Sequence, residues 1–516
     1  MKKAMLLIPG LVLSLGLVSA AGADGVDARE LQRRATAHYE RNYRAILDEF
    51  ERLLAIPNHA SHRGDIDRNL ALLESLLRKR GLETRRLETP GASPALYAEG
   101  EQRANRATVL FYAHYDGQPV GTGWKTNPFE PILDKGGTQV PLRDALREMN
   151  TRPDDAWRIY ARSAGDDKAP IIAMLAALDT LAEAKASLAV NLKIFLEGEE
   201  EVGSPYLARI VRENAALIAA DLLLFADGPR HQSGRPQLVL GVRGIQTAQI
   251  TLFGPTRALH SGHYGNWSPN PAARLTHLLA AMRAPDGRVL IDGFYEAVDK
   301  GLAESGTVSD HTLEAGLLTQ LGMSRREAGD RTLSQAVALP ALNVVGLQAG
   351  DTGGNARNAI PTEASASLDF RLVPNLSPDI VRRLVERHLQ AQGYRVVRTR
   401  EKAETATDRD RIALVSWGNS GYSGARYRED APPVRALISL LRELHGEQLV
   451  IAPILGGSLP LSLFAENSPV SAVVVLPIAN FDNNQHAPNE NLSLGSLRYG
   501  IETFTAVFGG VRIPHR

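Results

Sequence analysis

Short apolar runs that stop abruptly at acidic or imidazole side chains constrain this chain more than any other feature. Thr108–Ala113 leads into His114-Tyr115-Asp116, and Leu188–Leu196 into Glu197-Gly198-Glu199-Glu200-Glu201. Asp221–Ala226 leads into Asp227, and Ser471–Ile478 is followed by a loop carrying His486. Such runs are too short for independent helices and suit strands buried on both faces. Helical stretches, notably Pro170–Glu183 and Ser204–Ala220, lie between several of them. Strands alternating with helices imply an α/β domain with a largely parallel sheet. In such sheets ligands bind beyond the carboxyl ends of the strands. Ahead of these runs, residues 28–56 and 65–86 read as amphipathic helices.

The middle of the chain changes character. Gln246–Phe253 and Ser365–Val373 alternate like half-exposed strands, with helical stretches at Pro271–Ala284 and Ser377–Gln392. The expected organisation is an α/β catalytic domain in two parts, 21–243 and 416–516, interrupted by a smaller α+β domain at 244–415. The N-terminus reads separately. Met1-Lys2-Lys3, the apolar stretch Ala4–Val18 and Ser19-Ala20-Ala21 have the basic head, apolar core and small-residue end of a secretory signal peptide over 1–20. A membrane span needs about 20 apolar residues, more than this stretch offers. The expected location is a bacterial periplasm or the medium, with no membrane span after cleavage.

The strand ends also carry the chemistry. A fifth cluster, Asp166-Asp167-Lys168, immediately precedes the helix near Pro170. Singly, each cluster has a plainer reading. A strand-end histidine is commonly a hydrogen-bonded structural residue, Glu199–Glu201 a solvated face, and Asp166-Asp167 a favourable helix N-terminus. Together they converge on one rim of the sheet. The chain has no cysteine, which excludes disulfide scaffolds, thiolate metal sites and cysteine nucleophiles. Basic and acidic residues balance at 58 each with no basic block, which argues against a nucleic-acid partner. A His/Asp/Glu donor set suits Zn²⁺ or another divalent ion, and the carboxylate surplus suits two ions sharing a bridge. Two ions about 3.5–4 Å apart can activate a bridging water and polarise a carbonyl. A further carboxylate must then carry the water's proton to the leaving amine.

These motifs resemble those of the dinuclear zinc hydrolases that include carnosinase, cytosolic dipeptidase, glutamate carboxypeptidase, acetylornithine deacetylase and aminoacylase, and are nearest to the carnosinase and dipeptidase branch. The family's His-x-Asp motif stands here as Tyr112-Ala113-His114-Tyr115-Asp116-Gly117-Gln118-Pro119. Its bridging-aspartate motif stands as Ala161-Arg162-Ser163-Ala164-Gly165-Asp166-Asp167-Lys168-Ala169, and its glutamate pair as Glu197-Gly198-Glu199-Glu200-Glu201-Val202-Gly203-Ser204. The resemblance implies two Zn²⁺ per subunit, with Mn²⁺ or Co²⁺ as alternatives. His114 and Asp227 would bind one ion, Glu201 and His486 the other, and Asp166 both. Asp116 would orient His114, and Glu200 would be general base and acid. Glu199 would be an exposed neighbour.

The resemblance makes the inserted domain a lid that also forms a homodimer. Leu259-His260-Ser261-Gly262-His263-Tyr264-Gly265 matches a motif whose histidine reaches the partner's active site, which gives His260 a role on the developing oxyanion. Arg371, in Asp369-Phe370-Arg371-Leu372-Val373-Pro374, would clamp a substrate carboxylate. Gly457 and Ser458, in Gly456-Gly457-Ser458-Leu459-Pro460, would hold the same terminus through amides and hydroxyl. Two departures stand out. Ala161, Ser163 and Ala169 replace motif glycines. Asp134–Ala156 is longer than the family's short turn and is expected to form a surface element at the cleft mouth, narrowing access. The expected activity is hydrolysis of dipeptides or short peptides bearing a free carboxylate. The alternative is an N-acyl amino acid amidohydrolase using the same groups. A catalytically silent binding protein would lack a ligand or Glu200, and neither is missing.

Overall fold

A computed structural model of the chain describes residues 27–301, 311–327 and 329–514. The expected signal peptide lies outside the described residues. Among them, no helix is long and apolar enough to cross a membrane.

The apolar runs form the middle of an eight-stranded sheet. Its order is Glu83–Leu87, Ala95–Glu99, Asn191–Glu197, Thr108–His114, Leu222–Phe225, Val473–Val475, Gln237–Val239 and Val450–Ala452. The four strands from Asn191–Glu197 to Val473–Val475 are mutually parallel. Ala95–Glu99 joins them antiparallel on one side, and Gln237–Val239 on the other. These runs are apolar throughout because both faces of the sheet are covered. Val109, Phe111 and Ala113 pack in the layer that holds helices Ala28–Leu54, Lys168–Glu183 and Leu494–Gly510. Leu110 and Tyr112 point the other way, toward Leu207, Ile210 and Phe464. The first and last of those helices lie against each other, with Thr36 Oγ1 donating to Glu502 at 2.7 Å.

Parallel register decides what meets at the carboxyl rim. His114 sits opposite Glu197, and Tyr112 opposite Phe225, so Asp227 emerges beside His114. Two expected helices are shorter than their periodicity suggested. The second ends at Lys79; Gly81, at φ 77°, then turns the chain into strand Glu83–Leu87. The stretch 204–220 breaks at Asn214 into Leu207–Glu213 and Ala215–Ile218.

A second sheet is built from strands Ala341–Gln348, Glu363–Leu372, Gly241–Phe253, Ile412–Trp417 and Arg395–Val397, in that order. Ala364, Ala366, Leu368, Phe370 and Leu372 alternate inward against helices Pro271–Met282 and Pro378–Ala391. The long strand Gly241–Phe253 also pairs, through its first residues, with Ala425–Arg426 and Leu455–Ser458. It therefore belongs to both parts of the molecule.

The segment 134–156 does not sit at the cleft mouth. It forms a hairpin strand, Gln139–Pro141, and a helix, Leu142–Glu148. Leu142, Ala145 and Met149 are buried in the main core, and Tyr43 in the first helix donates to the Met149 carbonyl. Those apolar side chains gain more by joining the core than by lining a wet cleft, and no residue of the segment lines the cleft.

Candidate metal centre

Two groups of potential ligands form at the carboxyl rim: His114, Asp166 and Asp227, and Asp166, Glu201 and His486. Within each group the ligand atoms lie within 4.8 Å of one another. Asp166 belongs to both and offers one oxygen to each. Its Oδ1 is 2.9 Å from His114 Nε2, and its Oδ2 is 3.1 Å from His486 Nε2. His486 Nε2 also lies 3.2 Å from Glu201 Oε2, and His114 Nε2 lies 3.7 Å from Asp227 Oδ2. The five residues come from strand ends and loops up to His486, and His486 holds a left-handed backbone at φ 62°. That conformation is uncommon for a residue with a Cβ and concentrates at functional sites.

The electrostatics show what the cluster lacks. Burial, then repulsion from Asp166, pushes the Asp227 carboxyl up to about 7. Burial also pushes the Glu200 carboxyl well up, with Asp227, Glu201 and Asp166 adding to it against the opposing pull of His114. Burial opposes charge on Asp166 too, but hydrogen bonds from His114 and His486 outweigh it and hold that carboxyl below its ordinary range. Hydrogen bonds to Asp166 and Glu201 raise the His486 imidazole to about 11. A cluster whose groups take up protons in this way, buried around His114, Asp166 and Asp227 and open to solvent at His486, is short of positive charge. Two imidazoles and three carboxylates fit one or two divalent ions of the zinc type.

The surrounding side chains fix these groups. Asp116 does more than face His114, whose Nδ1 lies 3.4 Å from its Oδ1. Its two oxygens accept the backbone amides of Glu200 and Glu201 at 3.1 and 3.0 Å, locking the turn that presents both glutamates. Gln118 donates to Glu201 Oε2 at 2.8 Å and Gln485 to Asp166 Oδ2 at 3.1 Å. Such outer partners hold ligand orientation. Glu199 is half-buried, not exposed, because it accepts the Ser93 amide at 2.7 Å. Glu197 is buried and accepts the Tyr112 hydroxyl at 2.6 Å.

The loop before Asp166 is held by a residue that motif reading passed over. Glu490 accepts four N–H groups: Arg162 Nη1 at 2.8 Å and the amides of Ser163, Gly165 and Asp166 at 3.0, 3.1 and 3.0 Å. Arg162 and Glu490 are both buried. Ser163, where the related motif has glycine, takes the glycine-like φ of 62°. The loop keeps its shape without the glycine because Glu490 and Asn58, which donates to Ser163 Oγ at 2.9 Å, anchor it. An acid four positions beyond His486 was the only available signal.

A cleft of about 540 Å³ opens onto this rim. Asp166, Glu200, Asp227, Arg371, Gly457, Ser458 and His486 all line it. Arg371 is tethered, with Nε and Nη2 on Asp369 Oδ2 and Nη1 on Ser458 Oγ. The Ser458 hydroxyl donates to the Gly244 carbonyl at 3.1 Å. Its proton is committed there, so it orients Arg371 rather than reaching for a ligand. His260 does not join this chain's cleft. It is exposed, caps Gly262 at 3.1 Å and lies 4.6 Å from the His263 ring.

The sequence profile of peptidase family M20/M25/M40 matches residues 110–509. The chain belongs to this family. M20 peptidases are metal-dependent hydrolases, and this chain carries a His/Asp/Glu site of that kind. It is 27% identical over 409 residues to the Cys-Gly metallodipeptidase dug1 of Schizosaccharomyces pombe, covering 78% of this chain and 79% of that one. It is 23% identical over 424 residues to the human Beta-Ala-His dipeptidase, covering 80% and 77%. Among solved structures, the M20 metallo-carboxypeptidase Sso-CP2 of Sulfolobus solfataricus superposes with a TM-score of 0.72 at 28% identity, over 90% of this chain and 98% of that one. The dipeptidase Dug1p of Saccharomyces cerevisiae gives 0.71 at 20% identity, over 93% and 98%, a likeness of fold.

Proposed function

We propose that this M20 peptidase is an exported, dinuclear zinc enzyme that hydrolyses dipeptides or short peptides with a free carboxylate. One observation carries the reading: Asp166 turns one oxygen toward each of two imidazole–carboxylate groups, at 2.9 and 3.1 Å. His114 and Asp227 would hold one ion, Glu201 and His486 the other, with Asp166 between them. Ions held by these residues would supply an activated water and polarise the scissile carbonyl. The chain's own residues do the rest. Glu200, on the cleft wall, takes the water's proton and delivers it to the leaving amine. Asp116 fixes the His114 ring and the Glu200–Glu201 turn. Arg371 presents its remaining fork to the substrate carboxylate.

We further propose a homodimer formed through the inserted domain, with exposed His260 reaching the partner's cleft, and residence in a periplasm or the medium. The test is metal analysis of the purified mature protein beside a hydrolysis screen of dipeptides and N-acyl amino acids. Two bound divalent ions and dipeptide cleavage support the proposal. Faster cleavage of N-acyl amino acids would replace the peptidase by a deacylase. Glu200→Gln is expected to keep its metal and lose about 10²–10⁴-fold in kcat. An active Glu200→Gln enzyme would remove Glu200 from the role.

A further inference from the structure

The cleft of about 540 Å³ extends beyond the metal rim along apolar side chains. One wall is aliphatic. Leu333 and Val337 come from the inserted domain, and Val450, Ile454 and Leu455 from the catalytic domain. Ala338 and Ile454 form a small buried cluster with Val337 packed against it, so the two parts meet in one surface. A capping box between Thr332 and Gln335 starts the short helix Leu333–Val337 and fixes the side chains it presents.

Two charged groups along this wall are held by other parts of the protein, although Arg230 Nε itself has no hydrogen-bond partner among the described residues. Glu314 accepts the Leu333 amide and Arg326, each at 2.7 Å. Arg230 donates to the Gly234 carbonyl and Ser496 Oγ, and its guanidinium lies over the Tyr499 ring. Two large apolar side chains, by contrast, stand open on the cleft: Leu333 at 44% exposure and Phe481 at 42%. Burying such a side chain is favourable because it takes apolar surface out of water. A ligand with hydrocarbon to place against them would gain from that, and a glycine-rich ligand would not. Exposed apolar surface concentrated in a concave site marks a binding surface.

We infer that this enzyme selects substrates carrying a bulky hydrocarbon group, seated against Leu333, Val337, Leu455 and Phe481. The group is the side chain of an aliphatic or aromatic residue, or an acyl chain of similar size. The inference rests on the hydrolase reading above and extends it to the substrate class. Arg371 lines the same cleft, so the proposed carboxylate clamp and the hydrocarbon seat share one cavity.

The test compares kcat/KM for Gly-Gly, Cys-Gly, Leu-Gly, Gly-Leu, Leu-Leu and Phe-Leu, with N-acetyl- and N-hexanoyl-leucine as the acyl arm. Replacing glycine by leucine or phenylalanine at one position, or acetyl by hexanoyl, is expected to raise kcat/KM at least about 10-fold. Leu333→Asn should shrink the Leu-Leu to Gly-Gly ratio several-fold, whereas Leu321→Asn, exposed but off the cleft, should not. Equal or better cleavage of Gly-Gly and Cys-Gly would overturn the inference. So would a Leu333→Asn enzyme with an unchanged ratio. If nothing is cleaved, the hydrolase reading fails on its own. Calorimetric binding of the reduced-amide isosteres of Leu-Leu and Gly-Gly then decides the chamber separately: tighter Leu-Leu binding supports it, and equal binding refutes it.

Discussion

Glu490→Gln should loosen the candidate metal centre from behind. Each carboxylate oxygen of Glu490 serves two donors: Oε2 takes Arg162 and the Ser163 amide, Oε1 the amides of Gly165 and Asp166. Glutamine keeps one acceptor. Whichever way its amide turns, its NH₂ faces two N–H groups, and Arg162 is left buried without a counter-charge. Two hydrogen bonds to a charged acceptor are worth about 1.5–3 kcal/mol each. Breaking a buried ion pair costs about 3–5 kcal/mol. The two figures describe overlapping contacts, so the expected loss is about 4 kcal/mol rather than their sum. Part of it falls on Asp166, whose own amide is one of the four donors. Outer-partner losses of this kind lower metal affinity about 10–100-fold, which corresponds to ~1.4–2.8 kcal/mol. Urea unfolding of the metal-free protein reads the first quantity, and competition with a chromophoric chelator reads the second. Glu490→Asp, which keeps the charge, should recover part of both. A Glu490→Gln protein as stable and as metal-avid as the parent would refute the reasoning. Lost stability with unchanged metal affinity would reduce Glu490 to a fold element.

Three further outcomes follow from the same geometry. Arg371→Lys loses the planar fork and should raise KM about 10–100-fold for peptides with a free carboxylate; the corresponding C-terminal amides should show no such change. Burial holds the His445 imidazole down at about 4, so on acidification the unfolded chain takes up that proton first. Stability should therefore fall between the ordinary histidine range and pH 4, by about 2 kcal/mol once partial solvent contact is allowed for; His445→Gln should flatten this limb in urea unfolding at stepped pH, and an unchanged limb would assign it elsewhere. Leu142→Ala should cost about 2–4 kcal/mol as a core truncation while leaving the ratio of kcat/KM among dipeptides unchanged; a shifted ratio would return the segment to the cleft.

Local patterns exposed the rim, and long-range contacts explain what stayed hidden. His114, Glu201 and Asp227 were legible because each follows an apolar strand by a few residues, and a parallel sheet collects such ends at one edge. Arg371 was legible from its motif, but its tether to Ser458, 87 positions away, was not. Glu490 has no local signature, since its work is done on a loop 324 positions earlier. Glu199 looked like surface because the Ser93 amide it accepts arrives from a distant loop. The segment 134–156 was placed by its length and motif neighbours. Its leucine, alanine and methionine were free to choose the core, and periodicity over one short helix does not say which core.

The clasp between helices Ala28–Leu54 and Leu494–Gly510 bears on the order of assembly. Thr36 and Glu502 are 466 positions apart, and closing a loop of that length costs about 5 kcal/mol of chain entropy. During synthesis helix Ala28–Leu54 can pack early on Lys168–Glu183 and on the Met149 carbonyl, but its contact with Leu494–Gly510 must wait until that helix has been made. The inserted domain, whose core draws on residues 248–415, can close long before that. His486 lies just ahead of the final helix, so the group it completes with Asp166 and Glu201 is unavailable on a growing chain. On the proposed metal reading, loading of that group would wait for synthesis through His486, and a chain stopped before it would keep at most the His114–Asp166–Asp227 group.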